Sequence, residues 1–277
     1  MNSTQCEAEN KNKSIDKVVW GYREKPQGVP SNHAGDIFVY FKDMRTYPGI
    51  AGISLKAGSE KSAEPKLNSY VKTTLTKPMW LKSAPHAVSE LKKQLWKEVY
   101  SKIPSLPKEI NENNYFESVG KKEATKPHPI LISKMIDFFE ADPKGFDELY
   151  FKMNKICREK LCEVINKDIN ATKEWISEEF RLEKKGEEVP LILVKAIRTN
   201  FQMAGDPLVD MLPVAKTIKA YLNPNSVQEW FIDLSDGKHK LTLMMTIRSD
   251  SEFRRSKPKG KLGSFVGLKL LYRGVKK

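Results

Sequence analysis

Cysteine is scarce in this chain of 277 residues. Cys6, Cys157 and Cys162 are its only thiols, and the last two stand five apart, a spacing at which helical side chains do not face one another. No disulfide framework and no paired-cysteine metal site follows, so the expected compartment is a reducing one. Histidine is almost as thin: His33, His86, His128 and His239 are scattered, without HExxH or other paired spacing, which argues against zinc. No apolar run approaches the roughly 20 residues that a helix needs to cross a bilayer. The polar opening MNSTQCEAENKNKS also lacks the apolar stretch of a signal peptide. These absences lead us to expect a cytoplasmic protein, in its own cell or in a host cell, without a membrane partner. Walker A, GxGxxG and GxSxG sequences are missing too, which sets aside the common nucleotide-binding and serine-hydrolase chemistries.

What the chain has in excess is positive charge. Forty-eight Lys and Arg oppose 35 Asp and Glu, a formal net charge of +13, and the sequence pI is about 9.4. Such a surface attracts polyanions, with nucleic acid the first candidate and an anionic membrane the second. The excess is concentrated. Residues 241–277 carry ten basic residues against Asp250 and Glu252, and residues 54–82 carry six Lys against Glu60 and Glu64. The bland alternative is a solvated lysine-rich surface with no partner.

Hydrophobic patterning divides the chain into three parts. Near the N-terminus, VVWGYR (18–23), DIFVYF (36–41) and IAGISLKAG (50–58) have strand composition, and the last two are joined by a turn around Tyr47, Pro48 and Gly49. Residues 86–102 place Val88, Leu91, Leu95 and Val99 on one helical stripe. Further helices are expected near 129–140, 144–167, 170–183, 190–200 and 208–221. VQEWFIDL (227–234) and KLTLMMTIR (240–248) then flank a Ser-Asp-Gly-Lys turn, and GSFVGLKLLYRGV (263–275) forms a third strand beyond the basic run FRRSKPKGK. Strands at both ends with helices between them predict an α+β fold in which the two ends share one sheet.

The phrase SNHAGDIFVYF…GIAGISLKAG is the most specific feature. An Asp opening one strand and a Lys on the next put a carboxylate and an ammonium side by side at adjacent strand ends, an arrangement suited to phosphodiester hydrolysis. Asp36 would bind Mg²⁺ through its oxygens, and Lys56 would position or activate the attacking water. Gly52 and Gly58 bracket the strand, permitting close backbone approach. This phrase resembles the PD-(D/E)XK nuclease superfamily over about 45 residues. Gly35 stands where that family often has Pro, and Ser54 stands where it usually has the second acid. A branch of restriction enzymes has a similar Ser-x-Lys strand with a Glu supplied from further along. The resemblance therefore implies a Mg²⁺ site, with Mn²⁺ as substitute, built from Asp36, the Leu55 carbonyl and a displaced Glu. Glu64 comes first among the candidates and Glu90 second, with Glu60 and Glu24 as further ones.

It further implies a restriction-endonuclease-like mixed sheet with flanking helices, and a large helical insertion or second lobe. Residues 16–82 would hold the core strands, 83–222 the helical region, and 223–277 a basic β segment completing the core sheet, after an unstructured 1–15. The expected activity is cleavage of DNA, of the kind restriction or phage enzymes perform. Lys61, Lys66 and Lys72 would contact phosphates beside the catalytic strand. Arg254, Arg255, Lys257, Lys259 and Lys261 would line the backbone from a loop near the C-terminus. His33 could touch a phosphate or hold structure. A homodimer, a non-catalytic DNA-binding relative and a basic viral matrix-like protein remain open alternatives.

Overall fold

The computed structural model describes residues 14–21, 24–31, 33, 35–44, 48–57, 68–119, 122–180, 189–197, 200–203, 207–249 and 268–275. The fold is α+β, with two five-stranded sheets. Sheet A contains β1 (Ile15–Trp20), β2 (Ile37–Phe41), β3 (Ile50–Ala57), β7 (Leu191–Ile197) and β8 (Asn200–Met203), in that order. The β1–β2, β2–β3 and β7–β8 pairs are antiparallel, whereas β3 and β7 are parallel, so the sheet is mixed. A parallel pair needs a long crossover. Residues 58–190 supply it, and most of the rest of the molecule lies within them.

Alternation along IFVYF explains how β2 seats itself. Phe38 and Tyr40 point into a small core with Ile50 and Val189, flanked by Val19 and Val29, while Ile37, Val39 and Phe41 take the other face.

Sheet B is antiparallel, in the order β4 (Asn68–Tyr70), β12 (Leu268–Val275), β11 (Lys240–Ser249), β10 (Glu229–Ser235) and β9 (Thr217–Leu222). A short hairpin of β5 (Phe116–Val119) and β6 (Lys122–Pro127) stands apart. The helices are α1 (Val71–Leu75), α2 (Ala87–Glu98), α3 (Pro129–Ala141), α4 (Pro143–Lys167), α5 (Ile169–Glu179) and α6 (Pro207–Val214). They make their principal contacts with sheet B and with one another. Among the described residues, no helix is long and apolar enough to cross a membrane.

Local chemistry sets the helix boundaries. Asp142 accepts from the Gly145 amide at 2.9 Å and Pro143 occupies the first turn of α4; Asp168 accepts from the Asn170 and Ala171 amides to start α5. Along α4, Met153, Cys157, Leu161 and Val164 fall on one buried stripe, where the Tyr100 hydroxyl donates to the Met153 sulfur at 3.3 Å. Arg158 is buried as well, and its guanidinium donates to the Ser226 and Glu229 carbonyls at 2.8 and 2.7 Å, tying the helix to the turn before β10. Burial pushes its pKa down. The thiols of Cys157 and Cys162 are free and buried, and burial raises both, that of Cys162 to about 12. In the β10–β11 turn, Gly237 adopts φ 97° as the Ser-Asp-Gly-Lys sequence requires.

Several expectations need correction. The helix expected near 190–200 is strand β7, because Ile192, Val194 and Ile197 are β-branched and Pro190 opens the segment. The helix expected over 208–221 stops at Val214, and Thr217–Leu222 is strand β9. Among the described residues, the C-terminal strands build sheet B with β9 and with β4, which comes from the expected core region 16–82, and none of them pairs with the strands beside Asp36. The expected unstructured start falls almost wholly outside the described residues, and Ile15 already belongs to β1.

Candidate active site

The register of β2 against β3 ends at the pair Ile37–Ile53, one residue short of Asp36. Past that point β3 continues beside β7 through Ser54, Leu55 and Lys56, and the side chain of Asp36 takes the position of the missing strand partner. Its Oδ2 accepts from the Leu55 amide at 3.0 Å and from the Ser54 hydroxyl at 3.2 Å. The residue's backbone is held on both sides: its amide donates to the Ile53 carbonyl at 2.8 Å, and its carbonyl accepts from the Gly21 amide at 2.9 Å. Asp36 is half-buried and Ser54 fully buried. Oδ1 has no hydrogen-bond partner among the described residues.

Strand geometry adds a second oxygen. In an extended strand the N–H and C=O of one residue point to the same side, as they must to exchange paired bonds with a neighbour. Leu55 directs its N–H toward Asp36, so its carbonyl lies on that side as well, away from β7. The carboxylate, the Ser54 hydroxyl and the Leu55 carbonyl thus form a compact set of hard oxygen atoms. They suit Mg²⁺ in kind, since that ion is commonly held by one or two carboxylates and retains several waters.

A clamp behind Asp36 escaped sequence reasoning. Lys25 donates to the carbonyls of Gly21 and Gly35 at 2.9 and 2.8 Å, and its ammonium lies 5.4 Å from the centre of the Phe38 ring. The only sequence signal was a single cation inside a Pro- and Gly-rich loop. Nearby, His33 Nδ1 accepts from the Gly35 amide at 3.0 Å, which leaves Nε2 to donate to the Val189 carbonyl at 3.0 Å. This ring bridges the loop before β2 to the residues entering β7. It packs so closely on Gly52 that a Cβ there would collide with it, which accounts for that glycine. Gly58 lies outside the described residues.

The structure brings together Asp36, Ser54 and Leu55, and places the backbone of Lys56 opposite that of Lys195. Glu90 is elsewhere: it sits on α2 and accepts from Lys160 of α4 at 3.0 Å. Glu24 is exposed in the loop after β1. Lys72 is half-buried on α1. Glu60, Glu64, Lys61, Lys66, Arg254, Arg255, Lys257, Lys259 and Lys261 lie outside the described residues. Among the described residues, no three His, Cys, Asp or Glu side chains gather as a metal site. Set against known families the chain matches none, and no curated protein matches it.

Proposed function

We propose that this protein is a cytoplasmic, Mg²⁺-dependent endonuclease that hydrolyses DNA phosphodiester bonds. The observation that carries this reading is the Asp36 carboxylate, which opens β2 and is fixed by the Ser54 hydroxyl and the Leu55 amide of the neighbouring strand β3, one residue before Lys56. The mixed sheet and the net charge of +13 support it.

In this reading Asp36 Oδ1 and the Leu55 carbonyl hold the cation, with Glu64 as the expected second carboxylate. Bound Mg²⁺ supplies positive charge to the phosphoryl oxygens and lowers the pKa of a coordinated water. Ser54 keeps Asp36 in one rotamer by donating to Oδ2. Lys25 and His33 fix the loop behind it, so the site is ordered before substrate arrives. Lys56 orients the attacking water. Attack by the water oxygen forms a new bond to phosphorus as the bond to the leaving sugar oxygen breaks, and the proton that the water gives up passes through solvent to that leaving oxygen.

A second reading is a DNA-binding protein that keeps this sheet without turnover. One observation favours it: among the described residues, no group of three His, Cys, Asp or Glu side chains gathers at Asp36. Incubation with plasmid and single-stranded DNA in EDTA, Mg²⁺ or Mn²⁺ separates the two. The nuclease reading expects nicking or cutting with a divalent ion only, with Mn²⁺ compensating for a site poor in acids. DNA left whole in all three would favour the binder.

A further inference from the structure

The two basic segments of the sequence lie far apart in the chain, yet the fold joins them. β4 belongs to the first segment and β12 to the second, and the two pair antiparallel at the edge of sheet B. Lys269 stands opposite Tyr70, and on its other side opposite Arg248 of β11. These three residues form one cross-strand row. They share the face away from the helices, because their neighbours Ile247, Leu268 and Leu270 are at 0% exposure in the core on the other face. Arg248 is exposed, Lys269 and Tyr70 are half-buried, and the Lys269 ammonium lies 5.9 Å from the centre of the Tyr70 ring.

Further along the same face the next row holds Glu229, Thr246 and Leu271, and beyond it Met244, Phe231 and Tyr221 make an apolar and aromatic row, with the Tyr221 hydroxyl donating to Asp233 at 3.2 Å. Leu271 and Met244 are half-buried, and Tyr221 packs against Phe231 with ring centres 5.4 Å apart. From Tyr70 to Tyr221 there are four strand spacings of about 4.8 Å and four residue rises of about 3.4 Å, or roughly 20–25 Å across the sheet. The Ser249–Leu268 pair stands next to the Arg248 row.

We propose that this outer face of sheet B binds single-stranded nucleic acid, with phosphates on Arg248 and Lys269 and unpaired bases against Tyr70 and the apolar stretch toward Tyr221. The charge fits a polyanion. The choice of single strand follows from the rest of the face: a duplex offers mainly phosphates to a flat surface, which would leave Tyr70, Leu271 and Met244 unmatched. Exposed base faces stack on aromatic rings and cover apolar side chains without sequence preference. The proposal deepens the nuclease reading by naming the form of DNA held by the protein. It is tested through binding without metal, so a catalytic failure does not touch it.

The test measures fluorescence anisotropy of a labelled oligothymidylate of about 16 nucleotides, and of a duplex of equal length, with the full chain in EDTA at about 50 mM salt. Arg248→Gln with Lys269→Gln should weaken single-strand binding roughly tenfold and flatten the log–log salt slope by about 1.4, two contacts at about 0.7 each. Tyr70→Leu should cost fivefold or more on the single strand and leave duplex binding unchanged. Arg248→Lys with Lys269→Arg keeps the charge and should bind as the unmodified protein does. Lys144→Gln with Lys155→Gln removes equal charge from exposed positions on α4 and should change affinity less than twofold. An equal loss in that control, no loss in the Arg248 and Lys269 pair, tighter binding of duplex than of single strand, or indifference to Tyr70→Leu would each overturn the proposal.

Discussion

Sheets A and B each have five strands, yet they bury their side chains very differently. Trp230, Ile232, Leu243, Met245, Ile247 and Leu270 of sheet B are all at 0% exposure, in one core shared with the helices. Among the described residues, sheet A gathers Phe38, Tyr40, Ile50 and Val189 in a separate small cluster, and its edge strand leaves Ile15, Val18 and Trp20 at 55%, 59% and 67% exposure. At the Asp36 corner, polar bonds do the positioning. Lys25, His33, Ser54 and the Leu55 amide all converge on the Asp36 corner. Among the described residues, sheet B and its helices thus form the larger apolar body, and the candidate chemistry sits on the sheet with the smaller described core. Functional elements are often drawn from the low-stability end of a structure.

The largest expected effect breaks the comparison at its strong end. Trp230→Ala empties a fully buried site and should cost about 3–5 kcal/mol, visible as a single global loss of stability in denaturant unfolding. If only part of the molecule responded, sheet B would not be the organising core.

At the weak end, Gly52→Ala drives a Cβ into the His33 ring and should cost about 1–3 kcal/mol of overpacking. Hydrogen exchange should rise in β2, β3 and β7, while the helices and sheet B keep their protection. Removing the obstacle with His33→Ala in the same chain should recover part of the loss. A Gly52→Ala chain as well protected in sheet A as the original would contradict the close packing described above.

Much of this contrast was hidden in the sequence. Asp36 and Ser54 were legible because a short turn links their strands, so local chain geometry nearly dictates that they meet. β7 was not, since the spacing of apolar residues in LILVKAI fits a helix stripe as well as a buried strand, and only pairing with β3 decides between them. β4 is three residues long, too short to carry any period, yet it is what joins the two basic segments. DIFVYF has the composition of a central strand, and β2 is one, but which helices cover a sheet depends on contacts remote in sequence.

The smallest effect is a matter of pH and concerns the turn of sheet B. Asp236 accepts from the amides of His239 and Lys238 and lies beside the His239 ring, which together bring its pKa down to about 2. Its folded value lies below the roughly 3.9 of an unperturbed Asp. Its stabilising contribution is therefore complete above about pH 4 and is lost as pH falls through about 2. Amide shifts of Lys238 and His239 followed by NMR should titrate there, while Trp230 and the sheet B core stay unchanged over the upper part of that range. A midpoint near 4 would mean that the turn bonds do not hold the carboxylate.

Asp36 gives the most direct test of the whole account. Asp36→Asn is a better probe than Asp36→Ala, because its amide oxygen can still accept from Ser54 and Leu55, whereas alanine leaves the Leu55 amide without that partner, at a cost of about 1–3 kcal/mol if it stays buried. The measurement is the single-turnover rate of DNA cleavage in Mg²⁺ and in Mn²⁺, for the original chain and for Asp36→Asn, with equal circular dichroism and unfolding midpoints. The account predicts metal-dependent cleavage by the first and a loss of at least about a hundredfold, on the order of 3 kcal/mol of transition-state stabilisation, in the second. Equal rates from two equally folded proteins would contradict it.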